Sequence, residues 1–185
     1  HEDGNLHVSG ASAIIRPADT FLTRVPDGYF DYVLIILDTH FSGEYQGSEE
    51  SLIFPLHCEY GTSDWELAVD VSGLKNRMYL MKNRFDMWSA GPVSQIVLSD
   101  HYAQEIHDRL FCFVDSIESP DVLIPRDEFI ASLLREKSGG RIEVTLFGVA
   151  SDYCNRYAMD GWLERGARVT VLADLTRGIE KETDA

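Results

Sequence analysis

A strand, a helix and a second strand follow one another between residues 142 and 172, and this succession limits the fold more than any other feature. The pattern indicates a strand at 142–147, a helix at 155–164 that ends at Gly166, and a strand at 168–172. Strands joined by one helix in this way pair in parallel through a right-handed crossover. We therefore predict an α/β fold of three layers, in which helices cover both faces of a mainly parallel central sheet.

Two segments upstream indicate further strands of the same sheet. Residues 32–37 include four consecutive aliphatic side chains, as in a strand buried on both faces, and residues 77–81 indicate a shorter strand. Residues 127–137 have apolar side chains at the spacing of one helical face, and Gly139-Gly140 would end that helix. In sheets of this kind, ligands bind at the carboxyl ends of the strands.

A cysteine follows the strand at 142–147 after a turn of mostly small residues, Gly-Val-Ala-Ser-Asp-Tyr-Cys at 148–154. The helix that starts there directs the positive end of its dipole at the thiol, which favours a thiolate, and its free N–H groups can bind an oxyanion. A cysteine near a helix start is more often a small buried side chain. The sequence of this turn instead favours a nucleophile at Cys154, whereas we interpret Cys58 and Cys112 as buried or inert.

Carboxylate and imidazole side chains follow the first predicted strand. Asp38 and His40 are two residues apart, so their side chains can point the same way, and His57 can return to the same edge through a loop. An isolated Asp-x-His pair is more often a turn with a helix cap, but the added histidine favours a metal site. Glu50 is a weaker candidate, because Glu49 lies beside it and exposed acidic pairs are common. Such a donor set suits zinc, iron or manganese.

A lysine ends the strand predicted at 77–81. Lys82 would be a surface residue by default, but its position at a strand end supports a catalytic role. Asp38, Lys82 and the turn before Cys154 all lie at carboxyl ends of predicted strands, where the fold gathers ligand-binding groups. The sequence therefore predicts one crevice that contains all three.

The composition limits the partners. The chain has 185 residues, 44% of them hydrophobic, and 31 acidic against 16 basic residues give a net charge of -15. A chain of this length forms one core, and such a charge repels nucleic acid and anionic membranes, so we predict a neutral small molecule as the ligand. The odd number of cysteines, 3, argues against a disulfide framework and favours the cytoplasm. No apolar run approaches the length of a membrane span.

Four motifs in the same order resemble the isochorismatase-like cysteine hydrolases, and within them the nicotinamidase (pyrazinamidase) branch. The resemblance covers most of residues 4–178. The motifs are the turn at 148–154, the Asp-x-His pair at 38–40, the Phe-Pro-x-His-Cys-x-x-Gly-Thr segment at 54–62, and Lys-Asn-Arg-Phe-Asp at 82–86.

This resemblance implies a metal-dependent amidohydrolase that converts nicotinamide to nicotinate and ammonia, a reaction of NAD metabolism, through a cysteine thioester. It also implies a cis peptide bond between Val149 and Ala150, and a divalent metal, with zinc ahead of iron or manganese. The residues it assigns are Cys154 and Lys82 as catalytic residues, Ala150 and Cys154 as oxyanion-hole donors, Asp38, His40, His57 and, in some members, Glu50 as metal ligands, and Phe54, Val149 and Tyr153 as substrate-binding residues.

Two departures from the family pattern leave alternatives open. The third member of the family's catalytic triad is an aspartate that we expect before His1, so residues 1–185 form a single domain trimmed at both ends. An insertion at about 89–123, which contains His101 and Glu105, has no family counterpart; we interpret that pair as a solvated helix face. The alternatives are a related hydrolase of another small amide or ureido compound, or a catalytically silent metal-binding scaffold if the aspartate is absent. A homo-oligomer also stays open.

Overall fold

The computed structural model describes residues 4–136 and 140–180, and the predicted elements lie close to their expected positions. Gly139 lies outside the described residues. The elements are α1 (Ala11–Arg24), β1 (Val33–Asp38), α2 (Ser42–Tyr45), β2 (Arg77–Lys82), α3 (His101–Asp108), β3 (Cys112–Val114), β4 (Leu123–Pro125), α4 (Arg126–Glu136), β5 (Glu143–Val149), α5 (Cys154–Glu164) and β6 (Arg168–Arg177), with short 3-10 helices at Glu50–Leu52 and Ser63–Trp65.

The described strands pair in two groups. In the order β1-β2-β3-β4, β1 and β2 are parallel, whereas β3 and β4 each pair antiparallel with the preceding strand. β5 and β6 form a parallel pair joined by α5, which confirms the predicted crossover. β6 extends to Arg177, five residues beyond the prediction, because its last residues pair with Gly148 and Val149 after a shift in register.

Two hydrophobic clusters lie on opposite faces of the strands. Alternate residues of β1 point to opposite faces, so Ile35 and Leu37 pack with Leu22 of α1 and with α3, whereas Leu34 and Ile36 pack in the cluster with α4 and α5. β5 contributes to both clusters in the same way. The two strand groups therefore share one central layer between helices, and the predicted three-layer α/β/α fold with its mainly parallel, in part mixed, sheet is confirmed.

The insertion at 89–123 contributes to this core. Its α3 and β3 bury apolar side chains at less than a tenth of their full exposure, among them Ile106 and Phe113. Burial of such side chains stabilises the fold by about 1.5–3 kcal/mol each. Phe113 extends the sheet through its antiparallel pairing with Leu80 of β2. The insertion is thus a structural part of the domain that also contains the strand ends.

A buried carboxylate fastens the insertion to the strand ends. Glu44 of α2 accepts a hydrogen bond from Asn83 Nδ2 at 2.6 Å and one from Ser94 Oγ at 3.2 Å, and His107 Nε2 lies 3.5 Å from its Oε1. Asn83 Oδ1 in turn accepts from the Val93 N–H at 3.2 Å. A buried charge is tolerated where hydrogen bonds replace its hydration, and these bonds hold the residue after Lys82.

We predict that Gly161→Ala destabilises the fold, because an added Cβ would lie 2.0 Å from Trp88 Nε1. The indole cannot move aside, since it donates to the Tyr157 carbonyl at 3.1 Å and lies under the Arg165 guanidinium. We expect a loss of about 1–3 kcal/mol in the free energy of unfolding. Chemical denaturation measures it, with Gly43→Ala as the control, since its Cβ would meet nothing within 4 Å among the described residues. Equal stability of the two variants would contradict this packing.

Candidate active site

The ends of β1 and β2 and the start of α5 bring three reactive side chains together. In the parallel register of these strands, Asp38 lies directly opposite Lys82. α5 begins at Cys154, so the thiol lies at a helix N-terminus, as the sequence predicts. The three residues share one edge of the sheet because each follows the carboxyl end of a strand.

The three side chains contact one another. Lys82 Nζ forms an ion pair with Asp38 Oδ1 and lies 3.4 Å from Cys154 Sγ. The thiol Sγ lies 3.4 Å from Asp38 Oδ2, within the range of an S–H donor to a carboxylate. Lys82 also donates to the Arg84 carbonyl at 2.8 Å, and it is 2% exposed. Each member of this set therefore contacts the other two; Lys82 is buried, whereas Asp38 and Cys154 are partly exposed.

The charges of this site differ from the sequence-based expectation. Burial and the Asp38 carboxylate raise the pKa of Cys154 to about 12, although Lys82 acts in the opposite direction. Burial disfavours the charge on Lys82, but Asp38 and Cys154 outweigh it and raise the lysine pKa. The expected acidic thiol at rest is wrong, because the carboxylate and not the thiol neutralises the ammonium. The resting site holds a thiol beside an ammonium–carboxylate pair.

The turn before the thiol has an unusual backbone. Gly148 has a φ of 118°, which strongly favours glycine, and the predicted cis peptide bond between Val149 and Ala150 is confirmed. The Ala150 carbonyl accepts from the N–H groups of Tyr153 and Asn155 at 3.2 and 3.0 Å. These bonds fix the turn at the start of α5. The role of the Ala150 and Cys154 N–H groups as oxyanion donors stays a prediction.

A second cluster lies beside the thiol and has the donors of a metal site. Ligand atoms of His40, Glu50 and His57 lie within 4.8 Å of one another, and the side chains are 1%, 2% and 4% exposed. Glu50 Oε2 lies 3.2 Å from His40 Nε2 and 3.8 Å from His57 Nε2. Neither oxygen of Glu50 has a hydrogen-bond partner among the described residues. Two imidazoles around such a carboxylate fit a divalent cation, which would compensate its buried charge.

The ring of His57 is oriented for this cluster. Its Nδ1 donates to the Pro55 carbonyl at 2.9 Å, and the Tyr45 hydroxyl lies 3.3 Å away. This bond leaves the lone pair of Nε2 on the side of Glu50. Burial lowers the pKa of His57, and the neighbouring His40 adds to the effect. A neutral imidazole is the form that binds metals.

Asp38 belongs to the group around the thiol and not to this cluster. Its carboxylate contacts Lys82 and Cys154, and it is not one of the three residues whose ligand atoms converge within 4.8 Å. Burial raises its pKa, but Lys82 and His40 outweigh that effect and lower it. Its assignment as a metal ligand stays a prediction, whereas Glu50, the weaker candidate from the sequence, lies between the two imidazoles.

A cavity of about 110 Å³ opens onto the thiol and the His57 side of the cluster. Val149 and Tyr153, two of the predicted substrate-binding residues, line it, and so does Phe85. Phe54, the third, packs edge-on against Tyr153 and Phe85 with centroids 5.1 and 5.8 Å apart. We refer to this space as the triad cavity. Sequence reasoning missed Phe85. Its position three residues after Lys82, within the Lys-Asn-Arg-Phe-Asp motif at 82–86, could have indicated it.

Of the remaining candidates, His101 and Glu105 do not line the triad cavity, whereas Cys58 does. His101 Nε2 pairs with Glu105 at 3.0 Å on an exposed helix face, as we interpreted it. All three cysteines are free, and burial raises the pKa of Cys58 to about 12 and that of Cys112 above its usual value. Among the described residues, no helix is both long and apolar enough to cross a membrane.

Comparison with known proteins agrees with this geometry. No protein-family model matches the chain. The nicotinamidase/pyrazinamidase of Mycobacterium tuberculosis is 25% identical over 187 residues, which span 98% of this chain and 82% of that protein. The solved pyrazinamidase/nicotinamidase of Streptococcus mutans superposes with a TM-score of 0.63 at 20% identity, over 98% of this chain and 82% of that one.

Two further solved structures show the same architecture. An isochorismatase-like hydrolase of Alkaliphilus metalliredigens has a TM-score of 0.60 at 18% identity, over 99% of this chain and 78% of that one. The chain has the isochorismatase-like hydrolase fold. A pyrazinamidase of Pyrococcus horikoshii in complex with zinc has a TM-score of 0.55 at 22% identity, over 97% and 80% of the two chains. The predicted family resemblance and the prediction of a hydrolase are thus confirmed.

We predict that Asp38→Asn lowers the pKa of Cys154, because the negative charge that opposes the thiolate is removed while Lys82 stays 3.4 Å from the sulfur. The alkylation rate of Cys154 should then reach its plateau at a lower pH than in the unmodified hydrolase. Mass spectrometry of the alkylated peptide gives this pH profile for Cys154 alone. Asp64→Asn, in the same cavity, should leave the profile unchanged. A higher pKa in Asp38→Asn would contradict the assigned charges.

Proposed function

We propose that this hydrolase is a metal-dependent amidohydrolase that converts nicotinamide to nicotinate and ammonia through a cysteine thioester. The observation that carries the proposal is the contact of Cys154 Sγ with both Lys82 Nζ and Asp38 Oδ2 at 3.4 Å, beside the His40, Glu50 and His57 cluster. The nicotinamidase/pyrazinamidase relative supports the substrate class. An amide needs a strong nucleophile because its amine is a poor leaving group, and a thiolate divides the hydrolysis into two easier steps.

The first step forms the thioester. Asp38 takes the thiol proton, Lys82 stabilises the resulting thiolate, and the sulfur attacks the carboxamide carbon. The N–H groups of Ala150 and Cys154 are our proposed donors to the tetrahedral oxyanion. Asp38 then returns its proton to the nitrogen as the C–N bond breaks, and ammonia leaves.

The second step releases the product. A water molecule gives one proton to Asp38 and attacks the thioester carbon, so the C–S bond breaks and the carboxylic acid forms. The proton on Asp38 returns to the sulfur, which restores the resting thiol. The family resemblance assigns this proton transfer to an aspartate expected before His1. Within the described residues, Asp38 is the carboxylate in contact with the thiol, and we propose it as the proton acceptor.

The proposed metal centre consists of His40, His57 and Glu50, with Asp38 as a further candidate ligand. Zinc is our first choice, supported by the pyrazinamidase complex with zinc, and iron or manganese also suits the donors. A bound cation would act as a Lewis acid toward the pyridine nitrogen and would so help to position the carboxamide near the sulfur. Phe85 and Tyr153 of the triad cavity would pack against the ring.

We further propose a cytoplasmic single domain without nucleic-acid or membrane partners. Three free thiols suit a reducing compartment, and the net charge of -15 repels polyanions and suits a neutral substrate.

We predict that Cys154→Ala abolishes ammonia release from nicotinamide, because no other thiol contacts both Lys82 and Asp38 among the described residues. Binding of nicotinamide, measured by calorimetry, should persist, since the ring contacts remain. Cys112→Ala, which replaces a half-buried thiol that does not line the triad cavity, serves as the control and should keep its turnover. Near-normal turnover in Cys154→Ala would exclude the covalent mechanism.

We predict that His57→Ala loses bound metal and nicotinamide hydrolysis together. The alkylation rate of Cys154 should change little, because Asp38 and Lys82 set the state of the thiol. Metal analysis and an ammonia assay measure both effects, and His101→Ala, whose ring is exposed, is the matched control. For the unmodified protein, benzamide should be a poor substrate because it lacks the ring nitrogen. Equal rates on nicotinamide and benzamide would contradict recognition of the ring nitrogen. They would favour the alternative, a cysteine hydrolase of another small amide or ureido compound.

A further inference from the structure

The candidate metal ligands are buried so deeply that a cation needs a path to reach them. His40, Glu50 and His57 expose between 1% and 4% of their surface. Two cavities reach this cluster, each at a different ligand. The triad cavity reaches it at His57, and a second cavity of about 210 Å³ reaches it at Glu50. The second cavity is large enough for several water molecules, so a partly hydrated ion fits in it.

The second cavity is lined by a buried carboxylate that has no hydrogen-bond partner among the described residues. Glu50 is 2% exposed, and neither of its oxygens accepts a hydrogen bond among the described residues. The same side chain lines the second cavity and contacts both imidazoles of the cluster. A cation that crosses this cavity would therefore meet a ligand oxygen of its final site without passing the thiol.

The charges of the two cavities differ. Glu49 and Asp86 add two carboxylates to Glu50 on the walls of the second cavity, and its one cationic wall residue, Arg84, directs its guanidinium at the carbonyls of Gly91 and Pro92. Such a concentration of like charge attracts cations and raises their association rate.

The triad cavity offers less attraction to a cation. Its Asp38 carboxylate is already paired with the Lys82 ammonium, and its other carboxylate, Asp64, accepts a hydrogen bond from the Asn5 N–H at 3.1 Å. Phe85 and Tyr153 give the same cavity an aromatic wall, which suits the ring of the proposed substrate.

We propose that the second cavity is the path by which the divalent cation enters and leaves, while the triad cavity serves the organic substrate. This inference rests on the proposed metal site. The arrangement lets a substrate occupy the triad cavity without closing the path of the ion. Phe85 lines both cavities.

The first test changes the charge of the path. Metal-free protein is mixed with Co²⁺, and the absorbance of the bound ion gives the rate of uptake. In Glu49→Gln/Asp86→Asn we expect uptake to slow about tenfold at low salt, and the difference to shrink at high salt because ions screen the attraction. Asp86→Asn keeps the oxygen that accepts from the Trp88 N–H. Glu66→Gln, an exposed residue outside both cavities, should bind Co²⁺ at the original rate.

The second test narrows each cavity in turn. Val93→Trp fills part of the second cavity, and Leu6→Trp fills part of the triad cavity. We expect Val93→Trp to slow both uptake of Co²⁺ and its release to a chelator by the same factor, about tenfold or more, so that its Kd is unchanged. Leu6→Trp should leave both rates as they are. If Val93→Trp acted only by disturbing the fold, Kd would change, because the rates of Co²⁺ uptake and release would not fall by the same factor.

The outcomes separate this inference from the proposed function. Slow exchange in Leu6→Trp with normal exchange in Val93→Trp would overturn it and assign the path to the triad cavity, while the metal site would stand. Unchanged uptake in Glu49→Gln/Asp86→Asn, with Val93→Trp also normal, would overturn it as well. A protein that binds no Co²⁺ would contradict the metal site itself, and this path with it. Thermal unfolding of each variant verifies that the comparison is between folded proteins.

Discussion

The ion pair between Asp38 and Lys82 is the interaction on which the rest of the site depends. It joins the ends of β1 and β2, and it exists because the parallel register puts the two residues directly opposite each other. A buried ion pair costs desolvation on both sides, and loss of one partner leaves an uncompensated charge in a medium that solvates it poorly. The Cys154 thiol touches both charges, and its pKa is raised by burial and by the Asp38 carboxylate while Lys82 acts in the opposite direction.

The cluster of His40, Glu50 and His57 also contains a buried charge, and no hydrogen bond among the described residues compensates it. Glu50 is buried between two imidazoles with no hydrogen bond to its oxygens among the described residues, and such a carboxylate is stable only with a cation or a proton nearby. The two clusters lie side by side, and His40 contributes to the lowered pKa of Asp38. A positive charge at the second cluster would therefore also act on the carboxylate that contacts the thiol. The proposed metal and the proposed nucleophile are electrostatically linked.

Residues of the 89–123 segment also support the site, through contacts with Glu44. His107 and Ser94, both inside it, surround Glu44, and Glu44 holds Asn83 next to Lys82. The sequence contained no pattern that would reveal this, since the partners of Glu44 are 39 to 63 positions away from it and each is an ordinary polar residue on its own. Only the folded chain shows that residues of the 89–123 segment support the strand end on which the lysine lies.

The sequence by itself determined the strands β1, β2, β5 and β6, the helices α4 and α5, the parallel crossover around α5, the position of Cys154 at a helix start and the chemistry of the candidate residues. It did not predict α3, β3 or β4. The predicted features follow from periodicity and turn residues over short stretches, which local physics decides. Tertiary structure alone decided that Asp38 contacts Lys82 and the thiol, that Glu50 lies between His40 and His57, that Phe85 lines the triad cavity, and that the thiol is protonated at rest. Register between strands and burial from water depend on residues far apart in the chain, and both the distances and the pKa values arise only when these are brought together.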